Sequence, residues 1–348
     1  MRRLLTLTAL ALGMAAAQAA STGVLTLRYL DVGQGDAVLI TSPEGQSLLY
    51  DGGRSEARMQ ALLRQYEVRS LDLVAASHGD ADHITGLIPA VTLFKPKFFL
   101  NNGIAAPTQT WGRLVTAVQK AGTQGLVVRD QVINLGTVKL TVLPPPPGLP
   151  RNEQNVNSVG LLVQYGTFRA LLTGDSETAE TRAWLKKYPA STLGPVDVYK
   201  SIHHGAKNGD SLAWLTAVRP RNVVVSVGPN NYGHPTSEAL ALYKRVGATT
   251  YRTDLSGTVT VVVQPGGKFV ITTEKGAPIP ANRGTSPTPV PRAAPAPARP
   301  PVAAPTPPAA PSYPNCAAAR AAGAAPVRVG QPGYGRHLDR DGDGIGCE

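Results

Sequence analysis

Cysteine is almost missing from this 348-residue chain: Cys316 and Cys347 are the only two, and both lie near the C-terminal end. Any metal centre built before them must use histidine and carboxylate donors, because no thiolate is there to ligate an ion. Aromatic residues make up only 5%, which leaves no evident platform on which nucleobases could stack. No groove-reading motif occurs either, so sequence-specific recognition of a duplex is not expected. No apolar run reaches the roughly 20 residues that a membrane-spanning helix needs. Charged residues (16%, against 42% hydrophobic) are too few for a disordered polyelectrolyte. The length suffices for one sizeable domain and an accessory piece.

Proline, by contrast, is abundant and concentrated. Residues 277–312 hold 13 of the 31 prolines, mixed with Ala, Thr and Ser. That composition buries no core and favours extended polyproline II, a semi-rigid spacer. At the other end, Met1-Arg2-Arg3, an apolar stretch over 4–16 and Ala17-Gln18-Ala19 form the pattern of a secretory signal peptide. The mature chain is therefore expected to start near Ala20 and to be secreted, periplasmic or at the cell surface, with no transmembrane segment. The expected organisation is a signal peptide over 1–20, a globular domain over 21–276, a Pro/Ala-rich linker over 277–312 and a compact tail over 313–348. In an exported protein the isolated cysteine pair is expected to form a disulfide, closing a loop of about 32 residues and contributing roughly 3–4 kcal/mol in the chain-entropy description. The formal charge is +11; two arginines in the leader and three in the spacer account for part of it, and the tail balances, so +6 remains on 21–276. Such a body suits a polyanion, nucleic acid or wall polymer, without requiring one.

From residue 24 to 271 strand-like and helix-like segments alternate. Residues 25–30, 37–41 and 47–51 read as strands, 55–66 as a helix with Met59, Leu62, Leu63 and Tyr66 on one side, and 71–77 as an apolar strand. Further strands are expected at 98–100, 138–143, 159–165, 168–173, 196–202 and 223–227. Helices are expected at 176–188 and 237–246, a hairpin turn at Gly166-Thr167, and a closing Thr/Val-rich hairpin over 258–273. Two batches of strands with helices interleaved predict stacked sheets covered by helices.

Five of the six histidines, His78, His83, His203, His204 and His234, fall in three short loops that each follow an expected strand. The densest is His78-Gly79-Asp80-Ala81-Asp82-His83, where two imidazoles and two carboxylates share one tight turn. A divalent ion needs N and O donors converging within about 2–2.5 Å of one point, and a strand-to-helix loop can supply that. Asp175 closes the strand that ends Thr173-Gly174-Asp175, and could bridge two ions. His203-His204-Gly205 follows the strand at 196–202, and Asp51 ends another and could orient a ligand histidine from behind.

In this order, the strand-Asp-Gly-Gly, the His-x-Asp-x-Asp-His turn, Thr-Gly-Asp and His-His-Gly resemble the metallo-β-lactamase-fold hydrolases. More narrowly, the chain is similar to the hydrolase domain of the DNA-uptake competence protein ComEC. The similarity extends over Asp31-Val32-Gly33-Gln34-Gly35-Asp36, the turn at 77–86, Asn155-Val156-Asn157-Ser158, and the stretches 172–177, 200–205, 226–235 and 253–257. The resemblance implies an α/β fold, an αββα sandwich with metals at one edge. It implies that His78 and Asp80 hold one ion, that Asp82 and His83 hold the other, that Asp175 bridges, and that one of His203 or His204 completes the second site. Asp80 stands where the broad superfamily has histidine, and Asn155-x-Asn157-Ser158 where it has a further ligand histidine. The harder donor set favours Mn2+ or Mg2+ relative to Zn2+, as one ion or two. The same resemblance places Lys200, Ser201, Asn231, His234 and Ser237 around the site. Lys200 would then neutralise a substrate phosphate and His234 protonate a leaving oxygen; Asp36 and Gln34 take no definite role.

In the tail, Asp339-Arg340-Asp341-Gly342-Asp343-Gly344 spaces oxygen donors as an EF-hand loop does, with Glu348 at position 10 instead of 12. With Tyr313-Pro314-Asn315-Cys316 and Cys347 it resembles the Excalibur domain, an extracellular calcium-binding module. The resemblance implies Ca2+ on Asp339, Asp341, Asp343 and Glu348. The function expected is an exported, metal-dependent phosphodiesterase that cuts DNA with metal-activated water, held at a surface or wall component by its tail. Two other readings stay open: hydrolysis of an ester, lactone or lactam at the same site, and a non-catalytic surface binding protein.

Overall fold

The computed structural model describes residues 23–276, 279–280, 313–340 and 344–347. The expected signal peptide, nearly all of the expected linker, and Asp341, Asp343 and Glu348 lie outside the described residues. The chain divides into two compact units at Asn282/Arg283.

Among the described residues, sixteen strands build the first unit. Those of the first sheet are β1 (Leu25–Tyr29), β2 (Val38–Thr41), β3 (Ser47–Tyr50), β4 (Leu73–Ala75), β5 (Phe98–Leu100) and β6 (Gln124–Leu126). There follow β7 (Gln131–Leu135), β8 (Val138–Leu143), β9 (Gly160–Tyr165), β10 (Phe168–Leu172), β11 (Val196–Lys200), β12 (Pro220–Val225) and β13 (Thr249–Arg252) of the second sheet. Then β14 (Val259–Val263), β15 (Phe269–Thr273) and β16 (Ile279–Pro280) return to the first. The nine-stranded sheet runs β16-β15-β14-β1-β2-β3-β4-β5-β6, and the seven-stranded sheet β13-β12-β11-β10-β9-β8-β7.

Side chains alternate across each strand, and that period of two distributes the apolar residues into layers. Leu48 and Tyr50 of β3 face one way, with Leu25, Leu27, Tyr29, Phe168, Ala170, Leu172 and Val261, forming the core between the sheets. Leu49 of β3 and Val74 of β4 face the other way, onto the helices Glu56–Gln65, Leu87–Phe94 and Gln109–Ala121. On the far side, Leu171, Val223 and Val225 meet Trp184, Trp214 and Tyr243 from the helices Thr178–Lys187, Leu212–Val218 and Ser237–Arg245. Three apolar layers between four layers of structure make the expected αββα sandwich. The helices over 87–94, 109–121 and 212–218 and the strands β6, β7 and β13 carry no expectation from the sequence. The strand expected at 223–227 begins earlier, at Pro220. The sheet also continues past the expected boundary at 276, because β16 pairs with β15 through Ile271↔Ile279.

Among the described residues no helix is long and apolar enough to cross a membrane. In the second unit a Cys316–Cys347 disulfide ties the helix Cys316–Ala321 to the strand Ile345–Gly346. Ala319, Val327 and Leu338 pack around it.

Candidate metal centre

The carboxyl ends of β3, β4, β10, β11 and β12 open onto one edge of the sandwich, and their loops carry the candidate donors. This is where α/β sheets place ligands, because strand ends give several short loops a common focus. Close backbone approach sets the geometry. Gly174 has φ of 55°, and a Cβ there would stand 2.5 Å from Ser77 Cβ; the glycine thus lets the Asp175 loop lie against the His78 turn. His203 and His204 both adopt left-handed backbone (φ of 50° and 54°) before Gly205 at 79°. Non-glycine residues there cost roughly 1–3 kcal/mol each, so surrounding contacts must hold the loop.

Asp210 does so. It is buried and accepts from Tyr199 Oη at 2.7 Å, Tyr243 Oη at 2.7 Å and the Ile202 amide at 3.2 Å. Burial pushes its carboxyl up to about 6, against the two tyrosine hydrogen bonds. The folded protein thus binds this proton more tightly than the unfolded chain. The associated stability is present below about pH 4 and is lost as pH rises through about 6, an effect of about 3 kcal/mol. Asp210→Asn is expected to remove that slope. Urea melts of both proteins between pH 4 and 7.5 check it; a constant stability difference between them would rule the effect out.

Three histidines share one arrangement. His83 Nδ1 lies 3.0 Å from Asp51 Oδ2, His204 Nδ1 is 2.9 Å from the Ser226 carbonyl, and His78 Nδ1 is 2.9 Å from Ser77 Oγ. Ser77 Oγ itself donates to Asp51 Oδ2 at 2.8 Å. Each ring is oriented through Nδ1, and each Nε2 is buried without a hydrogen-bond partner. Asp175 Oδ2 stands 3.1 Å from His83 Nε2 and 3.2 Å from His204 Nε2, outside hydrogen-bond alignment. Orphaned nitrogens converging on a carboxylate, with outer ring nitrogens tied down, are what a cation-binding histidine cluster requires. The residues fit a divalent ion. Donor atoms of His78, His83 and Asp175 lie within 4.8 Å of one another, as do those of Asp82, His83 and His204. His83 has a single free nitrogen, so the two groups cannot both be filled through it.

The charges are strongly coupled. Burial opposes ionisation of Asp175, yet His204 and His83 hold its carboxyl well below the usual range. Burial likewise opposes charge on His83 and His204, but Asp175 with Asp51, and Asp175 with Asp36, raise them well above theirs. An arriving cation must displace those protons, so its binding weakens in acid.

The remaining expected residues are placed as follows. Asp80 is half-exposed, its Oδ2 3.5 Å from His78 Nε2. Asp82 Oδ2 lies 3.6 Å from His204 Nε2, and despite burial His204 and His83 keep it ionised. Both histidines of the pair line the cavity; His204 is buried with Nε2 3.2 Å from Asp175 Oδ2, and His203 is partly exposed with Nε2 3.7 Å from it. Lys200, expected at a substrate phosphate, has no exposed surface. Its Nζ pairs with Asp36 Oδ2 and donates to the Gly174 carbonyl at 3.1 Å. It braces the site from behind, because the strand that carries it points it between the sheets. His234 lines the cavity, but burial and the neighbouring His203 and His204 lower its pKa, and a bound cation would act in the same direction. Asn157 serves the backbone, donating to the Pro150 and Glu153 carbonyls. Asn231 and Ser237 are exposed and outside the cavity lining. Gln34, Arg54, Asn155 and Tyr232 line a cavity of about 290 Å3 above the cluster. Arg54 follows the Asp51-Gly52-Gly53 motif and Tyr232 falls within the similar stretch 226–235, but neither was singled out by the sequence. In the second unit Asp339 Oδ2 accepts from Tyr334 Oη at 2.6 Å and the Gly344 amide at 2.9 Å, which fixes the start of its loop.

Residues 30–228 match the family described as the metallo-beta-lactamase superfamily. The chain belongs to that superfamily. It is a metallo-β-lactamase-fold, metal-dependent hydrolase, and residues 313–348 match the Excalibur calcium-binding domain. Recombination protein 2 of Haemophilus influenzae is 30% identical over 67% of this chain and 28% of its own length. Competence protein ComA of Neisseria gonorrhoeae is 29% identical over 68% of this chain and 32% of its own. The chain thus spans about a third of these relatives. The fold protein YhfI of Bacillus subtilis aligns at 16% identity over 69% of this chain and 99% of that one, with a TM-score of 0.45.

Proposed function

We propose that this chain is an exported, metal-dependent phosphodiesterase that cleaves DNA without sequence preference, in the service of DNA scavenging or uptake. The observation that carries this is the buried histidine–carboxylate cluster, where the orphaned Nε2 atoms of His78, His83 and His204 gather about Asp175. It sits in a chain about 30% identical, over two thirds of its length, to proteins named for recombination and competence. The hydrolase unit carries net positive charge, which favours a polyanion. The Excalibur unit, with Ca2+ on Asp339, Asp341, Asp343 and Glu348, would hold the enzyme at a surface or wall component.

His78, His83, His204 and Asp175 would hold the ion, with Asp82 and Asp80 on its open side. When bound, Mn2+, Mg2+ or Zn2+ supplies Lewis acidity and lowers the pKa of water. Asp51, Asp36 and the Ser226 carbonyl keep the rings oriented. His234, held neutral, would contribute a hydrogen bond to a phosphate oxygen in place of a proton. Lys200 keeps Asp36 and Asp175 ionised without touching substrate.

Purified protein incubated with labelled single- and double-stranded DNA in Mn2+, Mg2+, Zn2+ or EDTA tests the reading. Cutting should require an added ion and drop at least about 100-fold in Asp82→Ala, since even outer-shell losses at metal sites cost 10–100-fold. Folded protein that cuts neither strand with any ion would sink it, and turnover of lactone or lactam instead would name the other chemistry of the fold.

A further inference from the structure

The mouth of the cavity carries an aromatic face that the hydrolytic site does not use. Tyr232 is 61% exposed, and among the described residues it is the one aromatic side chain in that state. Its ring stacks on His234, with centroids 5.7 Å apart and planes at 29°. His234 in turn meets His203 edge-on at 5.6 Å, so a row of rings leads from solvent to the cluster. The loop is built to present Tyr232. Asn230 Oδ1 accepts from the amides of Tyr232 at 3.0 Å and His234 at 3.1 Å, while its Nδ2 donates to the carbonyls of Gly228 at 2.8 Å and His234 at 2.9 Å. Arg54 lines the same cavity as Tyr232 and Asp82, and the Asp82 charge helps hold its guanidinium ionised.

An open, backed ring beside a guanidinium, in the lining of the cavity over the histidine–carboxylate cluster, has the two elements that bind single-stranded nucleic acid: a stacking face and a phosphate contact. A duplex base cannot use such a face, because both of its own faces are covered by neighbours. We propose that Tyr232, backed by His234, stacks an unpaired base next to the scissile phosphate while Arg54 holds the adjoining phosphate, so that the preferred substrate is single-stranded DNA. This rests on the phosphodiesterase reading.

The test compares a single-stranded oligonucleotide with its counterpart made of abasic residues. Stacking contributes about 1–3 kcal/mol per base, and 1.4 kcal/mol is tenfold. Wild-type full-length protein with its metal should therefore show kcat/KM at least about 10-fold higher on the base-bearing strand. Tyr232→Ala should collapse that ratio toward one and Tyr232→Phe should keep it, with unchanged melting because the ring is exposed. Equal rates on both strands in wild type, or a ratio that survives in Tyr232→Ala, overturns the proposal. Fluorescence anisotropy of the same strands in EDTA reads the platform without turnover. A Kd ratio that depends on the ring in protein that cuts nothing upholds the platform and sinks only the chemistry. No ratio in either measurement sinks the platform.

Discussion

Asp175→Ala is expected to yield protein that retains little divalent metal and loses about 1000-fold or more in hydrolytic rate. Outer-shell partners of metal ligands typically account for 10–100-fold, and Asp175 stands closer than that: its Oδ2 lies within 3.2 Å of two histidine Nε2 atoms. Without it, His83 and His204 also lose the carboxylate that most raises their pKa, and the three orphaned nitrogens face one another with no negative charge among them. Asp175→Asn keeps the shape and removes the charge, so it separates ligation from packing. Elemental analysis after dialysis against metal, alongside kcat/KM, checks the expectation. Metal content near wild type with activity within tenfold would show that the cluster does not rest on Asp175.

Much of this centre was legible in the chain because strand ends and short loops fix position directly. His78, Asp82, His83 and Asp175 each follow closely on a strand marked by its apolar run, so their placement at strand ends, together with the resemblance, pointed to one shared site. Elements without periodicity stayed hidden. The helix Leu87–Phe94 is apolar on nearly every face and has Pro89 in its first turn, and Leu212–Val218 is similar; neither shows a polar stripe to mark it. β6 reads Gln-Gly-Leu, with nothing of a strand about it. The choice between His203 and His204 was not readable, since two successive left-handed residues reverse which ring points inward. Tyr232 shows the converse. A low aromatic content excludes many stacking faces but not a single ring displayed where it counts.

The phosphate contact that the resemblance implied for Lys200 does not suit its surroundings, and the sequence could not show why: its partner, Asp36, lies more than 160 residues away. Lys200 and Asp36 are both fully buried, and burial, which opposes the charge on each, is overcome by their mutual attraction. Removing one member of such a pair strands the other, at a cost of about 3–5 kcal/mol. Lys200→Met should therefore lower the melting temperature by about 10 °C, taking 2–4 °C per kcal/mol for a domain of this size. His204 Nδ1, 3.2 Å from Asp36 Oδ1, can supply partial compensation while its ring is protonated, so the deficit should widen as pH rises. The double variant Asp36→Asn/Lys200→Met carries neither charge of this pair and should regain most of the loss, because apolar or neutral replacement of a whole buried pair is often close to neutral. A double-mutant cycle by thermal melts at two pH values measures this. A Lys200→Met protein that melts within a degree or two of wild type would mean that Asp36 needs no cation, and the bracing role would fall to His204 alone.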